Sequence, residues 1–212
     1  IDYEIITQIN PDIIYCSISG FGQTGPYAGR GGFDLIANAM SGLMSVNGPA
    51  EGPPFRIPVP VSDVCAGMHA AIGILLALNN RKNTGAGQYI DTSLFEAGIS
   101  LGVYEAAGVF ANGEVPKRLG QAHRGSAPYQ MFETADGYIT VGGAQEKFWV
   151  SLCKVLSCEH FLQDPRYKSK EDRVKNHVRL AADLTSFFKN YSTKEIWKLL
   201  DEADIPAGPV LN

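Results

Sequence analysis

Residues 13–26 read Ile13-Ile14-Tyr15-Cys16-Ser17-Ile18-Ser19-Gly20-Phe21-Gly22-Gln23-Thr24-Gly25-Pro26, and their character changes at Gly20. The first half is a β-branched run of the length of a buried strand. The second half opens a stretch, Gly20 to Gly32, that holds six glycines and a proline in thirteen residues. So permissive a backbone does not form regular structure and reads as a long shaped loop, the kind that carries ligands. Upstream, Ile5, Ile6 and Ile9 fall on a helical period that Asn10-Pro11 stops.

Downstream, Phe33 to Met44 returns to helical spacing, and the Pro/Gly-rich stretch from Asn47 to Pro60 is expected to cross the surface. A second helix is expected from Asp63. Its body, Ala66 to Leu78, is apolar nearly all round with small residues interspersed, the pattern of a core helix packed closely on a sheet. Thr84-Gly85-Ala86-Gly87 turns the chain into a strand over Gln88 to Thr92, and a third helix is expected from Leu94 to Phe110. Beyond Asn112 the composition shifts. Tyr129–Thr134 and Tyr138–Gly142, joined by Ala135-Asp136-Gly137, read as a hairpin by the Asp-Gly turn rule. Glu146–Leu156, Lys170–Asn190 and Thr193–Glu202 are amphipathic helix candidates, the last opened by a capping box from Ser192 to Glu195. The chain therefore divides into an α/β part over residues 1–105, a linker over 106–118 and a smaller α+β part over 119–212.

With 212 residues, 45% of them hydrophobic, the chain can bury a sizeable core. A net charge of -4 and a pI near 5.6 supply no basic field, so neither nucleic acid nor an anionic membrane is an expected partner. The apolar stretches around Ala70–Leu78 and Ala97–Ala111 are broken by His69, Gly73, Gly102 and Glu105 and read as too short or too polar to span a bilayer. No basic region followed by an apolar core opens the sequence, so a cytoplasmic or organelle-matrix location is expected. Cys16, Cys65, Cys153 and Cys158 form no C-x-x-C pair and read as buried thiols. His69, His123, His160 and His177 are scattered without metal-ligand spacing, so no metal site is expected.

Three features could carry chemistry. Gly20-Phe21-Gly22-Gln23-Thr24-Gly25 matches G-x-G-x-x-G after a strand, but Pro26 follows and no second strand with a terminal acid appears, which argues against a dinucleotide site. Asp63, at the start of an apolar helix, is either a helix N-cap or a fixed carboxylate available for chemistry; the two are compatible. Gly120-Gln121-Ala122-His123-Arg124-Gly125-Ser126-Ala127 is either an ordinary exposed linker or a functional loop. No G-x-S-x-G elbow supports a serine hydrolase.

The ordered series of residues 13–26, Gly32-Phe33-Asp34, Ser62-Asp63 ahead of a Gly-Met-His helix, Thr84-Gly85-Ala86-Gly87-Gln88, Ala135-Asp136-Gly137-Tyr138 and Ile205-Pro206-Ala207-Gly208-Pro209-Val210 resembles the class III CoA-transferase (CaiB/BaiF) family. The resemblance runs from about Ile5 to the C-terminus. It implies an open parallel-sheet, Rossmann-like α/β large domain followed by a smaller α+β domain, in an interlocked homodimer. It implies no tightly bound cofactor, with coenzyme A entering as acyl-CoA substrate. Asp63 would be the nucleophile, forming an acyl anhydride and then an aspartyl-CoA thioester. An aspartate of reference pKa about 3.9 needs no neighbouring base for that at neutral pH. Asp34 would stand beside the reaction centre, and Arg30, Gly31, Gly32, Phe33, Leu35, Ile36 and Ala37 would line the CoA channel. The loop His123-Arg124-Gly125-Ser126-Ala127 would be a flap that shields the anhydride from water. Racemase members of the family carry a histidine where this chain has Phe33, and a phenyl ring moves no proton, so transfer outranks α-methylacyl-CoA racemisation. A non-catalytic CoA-binding fragment is the third alternative. The resemblance further implies that the chain lacks family segments at both ends and, alone, neither transfers CoA nor dimerises.

Overall fold

In the computed structural model, which describes residues 2 to 211, β1 (Ile14–Ser19) pairs in parallel with β2 (Gln88–Ser93), Ile14 opposite Gln88 and Ser19 opposite Ser93. Ile1 and Asn212, the outermost residues of the two expected domains, lie outside the described residues. Ahead of β1, helix α1 (Tyr3–Ile9) is capped by Asp2, whose Oδ1 accepts the Ile5 amide at 2.9 Å. The crossover between the strands holds α2 (Asp34–Met40), α3 (Leu43–Val46) and the long α4 (Val61–Thr84). After β2 come α5 (Leu94–Leu101), capped by Ser93, and α6 (Val103–Asn112). The class is α/β, as a parallel pair joined through a helix requires.

α4 lays a stripe of small residues on the strands. Ala66, Ala70 and Ala77 are buried, and a Cβ added to Gly73 would stand 3.0 Å from Ile90 Cγ2. The expectation of a helix buried all round is corrected: Val64, Met68, Ile72, Leu75 and Leu76 are exposed on the other side. Only its small residues let this helix reach the two-stranded sheet, and the branched ones project away. The expectation that no apolar stretch is long enough to span a bilayer is also corrected. α4 continues past Ala70–Leu78 at both ends, and its 24 residues suffice for a crossing by length and composition alone.

Other boundaries move for local reasons. The helix expected over Phe33–Met44 breaks between α2 and α3 at Ser41-Gly42, and the one expected over Leu94–Phe110 bends by 65° at Gly102. Residues 106–112, expected as linker, complete α6 because the helical period continues to Asn112; residues 113–118 form no regular secondary structure. Cys65, Cys153 and Cys158 are buried, but Cys16, in a strand covered on one side by α4, is only half-buried.

The chain forms two compact units, Ile1–Arg118 and Leu119–Asn212. In the second, β3 (Tyr129–Glu133), β4 (Tyr138–Gly142) and β5 (Ala207–Pro209) make an antiparallel sheet in that order. Alternation sends Phe132, Ile139 and Val141 inward, leaving Tyr129, Tyr138 and Thr140 on the outer face. Against the inner face pack α7 (Glu146–Val155), α9 (His177–Phe188) and α10 (Thr193–Glu202), with Trp149, Leu152, Leu180, Leu184, Ile196 and Leu200 fully buried. Phe132 stacks on Phe188 at 4.7 Å. The helix expected over Lys170–Asn190 is split at Asn176 into α8 (Lys170–Lys175) and α9, because Asn176 leaves helical geometry. The capping box of Ser192 and Glu195 forms, and Asp136 in the hairpin turn accepts the Thr193 amide at 2.7 Å, tying the turn to α10.

Tyr167 is fully buried and its hydroxyl donates to Asp183 Oδ2 at 2.6 Å. Burial, together with that carboxylate, pushes its phenol up to about 12, from 10.0. A raised folded-state value means that this contribution to stability is intact below the unfolded value and is lost as pH climbs through the folded one. Thermal melts from neutral to alkaline pH should therefore show Tyr167→Phe less stable at neutrality, with a shallower alkaline decline than the unmodified protein.

Candidate active site

The two carboxylates singled out by the sequence meet at the start of α4. The helix begins at Val61, the first residue beyond Pro60. Asp63 is thus not the N-cap expected of it: it sits two residues inside the helix, exposed, and Pro60 at the cap position has no side chain to offer the free N–H groups. Asp34 supplies what is missing. Its Oδ1 accepts the Ser62 amide at 2.9 Å, so the first residue of α2 caps α4 across 28 positions of sequence. The nucleophile candidate is therefore the next residue after an amide held by the second carboxylate.

The loop from Gly20 to Gly32 brings α2 there. A Cβ on Gly20 would lie 2.7 Å from the Gly32 Cα, and one on Gly32 equally close to Gly20, so the two ends of the loop touch backbone to backbone. The Gly20 carbonyl accepts from Phe95 N at 3.1 Å, joining the loop's start to α5. Within the loop, Gln23 N donates to Asp91 Oδ2 at 2.7 Å and the Arg30 guanidinium lies 4.5 Å over the Tyr27 ring. α5 closes the floor, where a Cβ on Gly98 would meet Ser41 Oγ at 2.6 Å and Ser62 Oγ at 3.2 Å. Nearby on α4, Cys65 Sγ lies 3.6 Å from His69 Nε2. Sequence reading missed Ser62, Ser41 and Gly98, and only the position of Ser62 beside Asp63 hinted at any of them.

The proposed channel residues separate by exposure. Arg30, Gly31, Phe33, Leu35 and Ile36 are open to solvent, with Phe33 80% exposed, Gly32 is half-buried and Ala37 is buried at 1%. The loop His123–Ala127 belongs to the second unit. His123 and Ser126 face each other in an antiparallel bridge, the Gly125 amide donates to His123 Nδ1 at 3.1 Å, and the His123 ring stands edge-on to Tyr129. His123, Gln121, Tyr129, Gln130 and Thr140 contribute to a cavity of about 1000 Å³ on the outer face of the sheet. Among the described residues no three of His, Cys, Asp or Glu converge where they could hold a metal ion.

The chain belongs to the CoA-transferase family III, whose model matches residues 1–212. It is 37% identical over 210 residues to human succinyl-CoA:glutarate CoA-transferase, covering 99% of this chain and 48% of that protein. It is 34% identical over 212 residues to the acetyl-CoA:oxalate CoA-transferase of Acetobacter aceti, covering 100% of this chain and 54% of the relative. The chain spans about half the length of the curated relatives it matches. A CAIB/BAIF family protein from Brucella suis superposes with a TM-score of 0.88 at 36% identity, covering 100% of this chain and 56% of the other. Rv3272 from Mycobacterium tuberculosis, at 24% identity and a TM-score of 0.86, covered 56% by all of this chain, shares the fold.

Proposed function

We propose that the protein containing this chain is a class III CoA-transferase that moves CoA from an acyl-CoA donor to a short dicarboxylic acid, with Asp63 as nucleophile. The observation that carries this reading is the 2.9 Å hydrogen bond from the Ser62 amide to Asp34, which fixes the turn that presents Asp63. The names of the relatives, written for glutarate and oxalate acceptors, support the substrate class.

In the reaction as proposed, an Asp63 oxygen attacks the donor thioester carbonyl, the C–S bond breaks, and CoA leaves as thiolate with the acyl group held as an aspartyl anhydride. The thiolate attacks the aspartyl carbonyl of that anhydride, releasing the donor acid as carboxylate and leaving an aspartyl-CoA thioester. An acceptor carboxylate attacks this thioester to form a second anhydride and thiolate, which then attacks the acceptor's carbonyl. Acceptor-CoA departs and the Asp63 carboxylate is regenerated. No proton or external reductant is consumed. Asp34 acts as the cap that orients this turn. The exposed rim of Phe33, Leu35 and Ile36 takes the pantetheine arm. The exposed row on α4 supports assembly as a homodimer.

The intact protein, given succinyl-CoA with glutarate or oxalate, is expected to form acceptor thioester mole for mole with released succinate. In heavy water it should leave the α-carbon of a 2-methylacyl-CoA undeuterated, since Phe33 offers no base. Deuterium uptake without CoA exchange would replace this reading with racemisation.

A further inference from the structure

One buried polar group of the first unit does nothing for the fold. Ser62, the second residue of α4, is 0% exposed, and its hydroxyl meets no hydrogen-bond partner among the described residues. Only its amide is engaged, donating to Asp34 Oδ1 at 2.9 Å. The hydroxyl is turned towards α5, where a Cβ on Gly98 would stand 3.2 Å from it. The Ser41 hydroxyl, 2.6 Å from the same point, already donates to the Asn38 carbonyl at 3.4 Å. A buried polar group without a partner destabilises a fold, and alanine in place of Ser62 would leave nothing bare. A hydroxyl kept against stability, next in sequence to the nucleophile candidate, points to a use outside folding.

Elsewhere in the chain the arrangement is complete. Ser192 N and Oγ lie 2.9 and 2.6 Å from Glu195 Oε2, and Ser169 N and Oγ lie 3.3 and 2.6 Å from Asp172 Oδ2. Thr193 N and Oγ1 lie 2.7 and 2.8 Å from Asp136 Oδ1. In each, the amide and the hydroxyl of one residue grip one carboxylate oxygen. Ser62 makes the amide half of that grip on Asp34 and leaves the hydroxyl half unmade. One rotation about its Cα–Cβ bond separates the two rotamers, and because Gly98 has no Cβ, no side chain of α5 pins the hydroxyl where it lies. We propose that Ser62 is a positioning residue of the transfer reaction: its hydroxyl is a reserve donor that joins its amide on Asp34 once Asp63 is acylated, and so keeps the turn in place through the covalent intermediates. This rests on the reading of Asp63 as the nucleophile. Acylation adds bulk and removes a negative charge at the residue after Ser62, so the single bond that holds the turn has more to resist. A second, charge-assisted donor on the same carboxylate adds to the hold at that stage. No covalent bond to Ser62 forms, and its proton stays on Oγ.

The test uses the intact protein with succinyl-CoA and glutarate, following glutaryl-CoA at a temperature well below the melting transition. Ser62→Ala should lower kcat by about tenfold, the loss expected for one hydrogen bond to a charged group, while its melting temperature stays or rises because a bare hydroxyl has gone. In an Asp34→Ala background, which has no acceptor for the hydroxyl, the same substitution should change kcat by less than about twofold. An unchanged kcat in Ser62→Ala overturns the proposal, as does a tenfold loss that persists without Asp34. A Ser62→Ala protein that melts lower or fails to fold overturns it too, since the hydroxyl would then be part of the packing. An unmodified protein that makes no glutaryl-CoA, or an Asp63→Asn protein that still makes it, removes the transferase reading and this inference with it.

Discussion

Asp63→Asn in the intact protein is expected to abolish CoA transfer and leave the fold nearly untouched. An amide cannot form the anhydride, so kcat should fall by about 10⁴-fold or more, as for loss of other covalent nucleophiles. The structural cost is small because Asp63 is exposed and caps nothing; Asp34 carries the Ser62 amide instead. What is lost is a negative charge in the first turn of a helix, worth at most about 1 kcal/mol. Steady-state assays and thermal melts on protein whose mass excludes deamidation back to aspartate would check both halves. Turnover near the wild-type rate would remove Asp63 as nucleophile.

Gly32→Ala should be nearly as damaging to activity through geometry alone. The new methyl would stand 2.7 Å from the Gly20 Cα and 3.4 Å from the Phe21 ring. The first neighbour is backbone and cannot rotate away, so the loop must part at its neck. Two residues later comes Asp34, the cap of α4, so the displacement passes to the turn that holds Asp63. A shift of about 1 Å at a reacting group costs on the order of 100-fold, and kcat/KM should fall by about that factor. The second unit should melt as before, since Gly32 lies in the first. An unchanged kcat/KM would mean that the neck of the loop does not position the site.

What the sequence made legible was local. The run Ile13–Ile18 and the Asp136-Gly137 turn specify strands over a few residues, and the Ser192–Glu195 box needs four. β5 escaped notice because three residues containing two of the strand-averse types, Gly208 and Pro209, give no pattern; it is tolerated at an edge, where Pro209 needs to donate nothing. α4 starts two residues ahead of Asp63, and the cap that Asp34 supplies from another helix leaves no mark in the residues around Pro60. The bend at Gly102 and the split at Asn176 interrupt otherwise continuous apolar periods. Of the site, Asp34 and Asp63 were marked by their neighbours in the ordered series, but their connection through the Ser62 amide is tertiary. The burial of the Ser62 hydroxyl left no local mark either: nothing in Val61-Ser62-Asp63 separates it from the solvated first turn of a helix.

The bond from Ser62 to Asp34 also bears on how the turn that holds Asp63 comes into being. A helix usually carries its own start signal and can close its first turn while the rest of the chain is still fluctuating. Here the acceptor lies 28 residues upstream, beyond the wandering stretch from Asn47 to Pro60, so the turn holding Asp63 becomes fixed only after a loop of that length has closed. Until that closure the Asp63 carboxylate is no better placed than any surface aspartate. The placing of Asp63 is thus a product of tertiary closure and not of the helix that carries it.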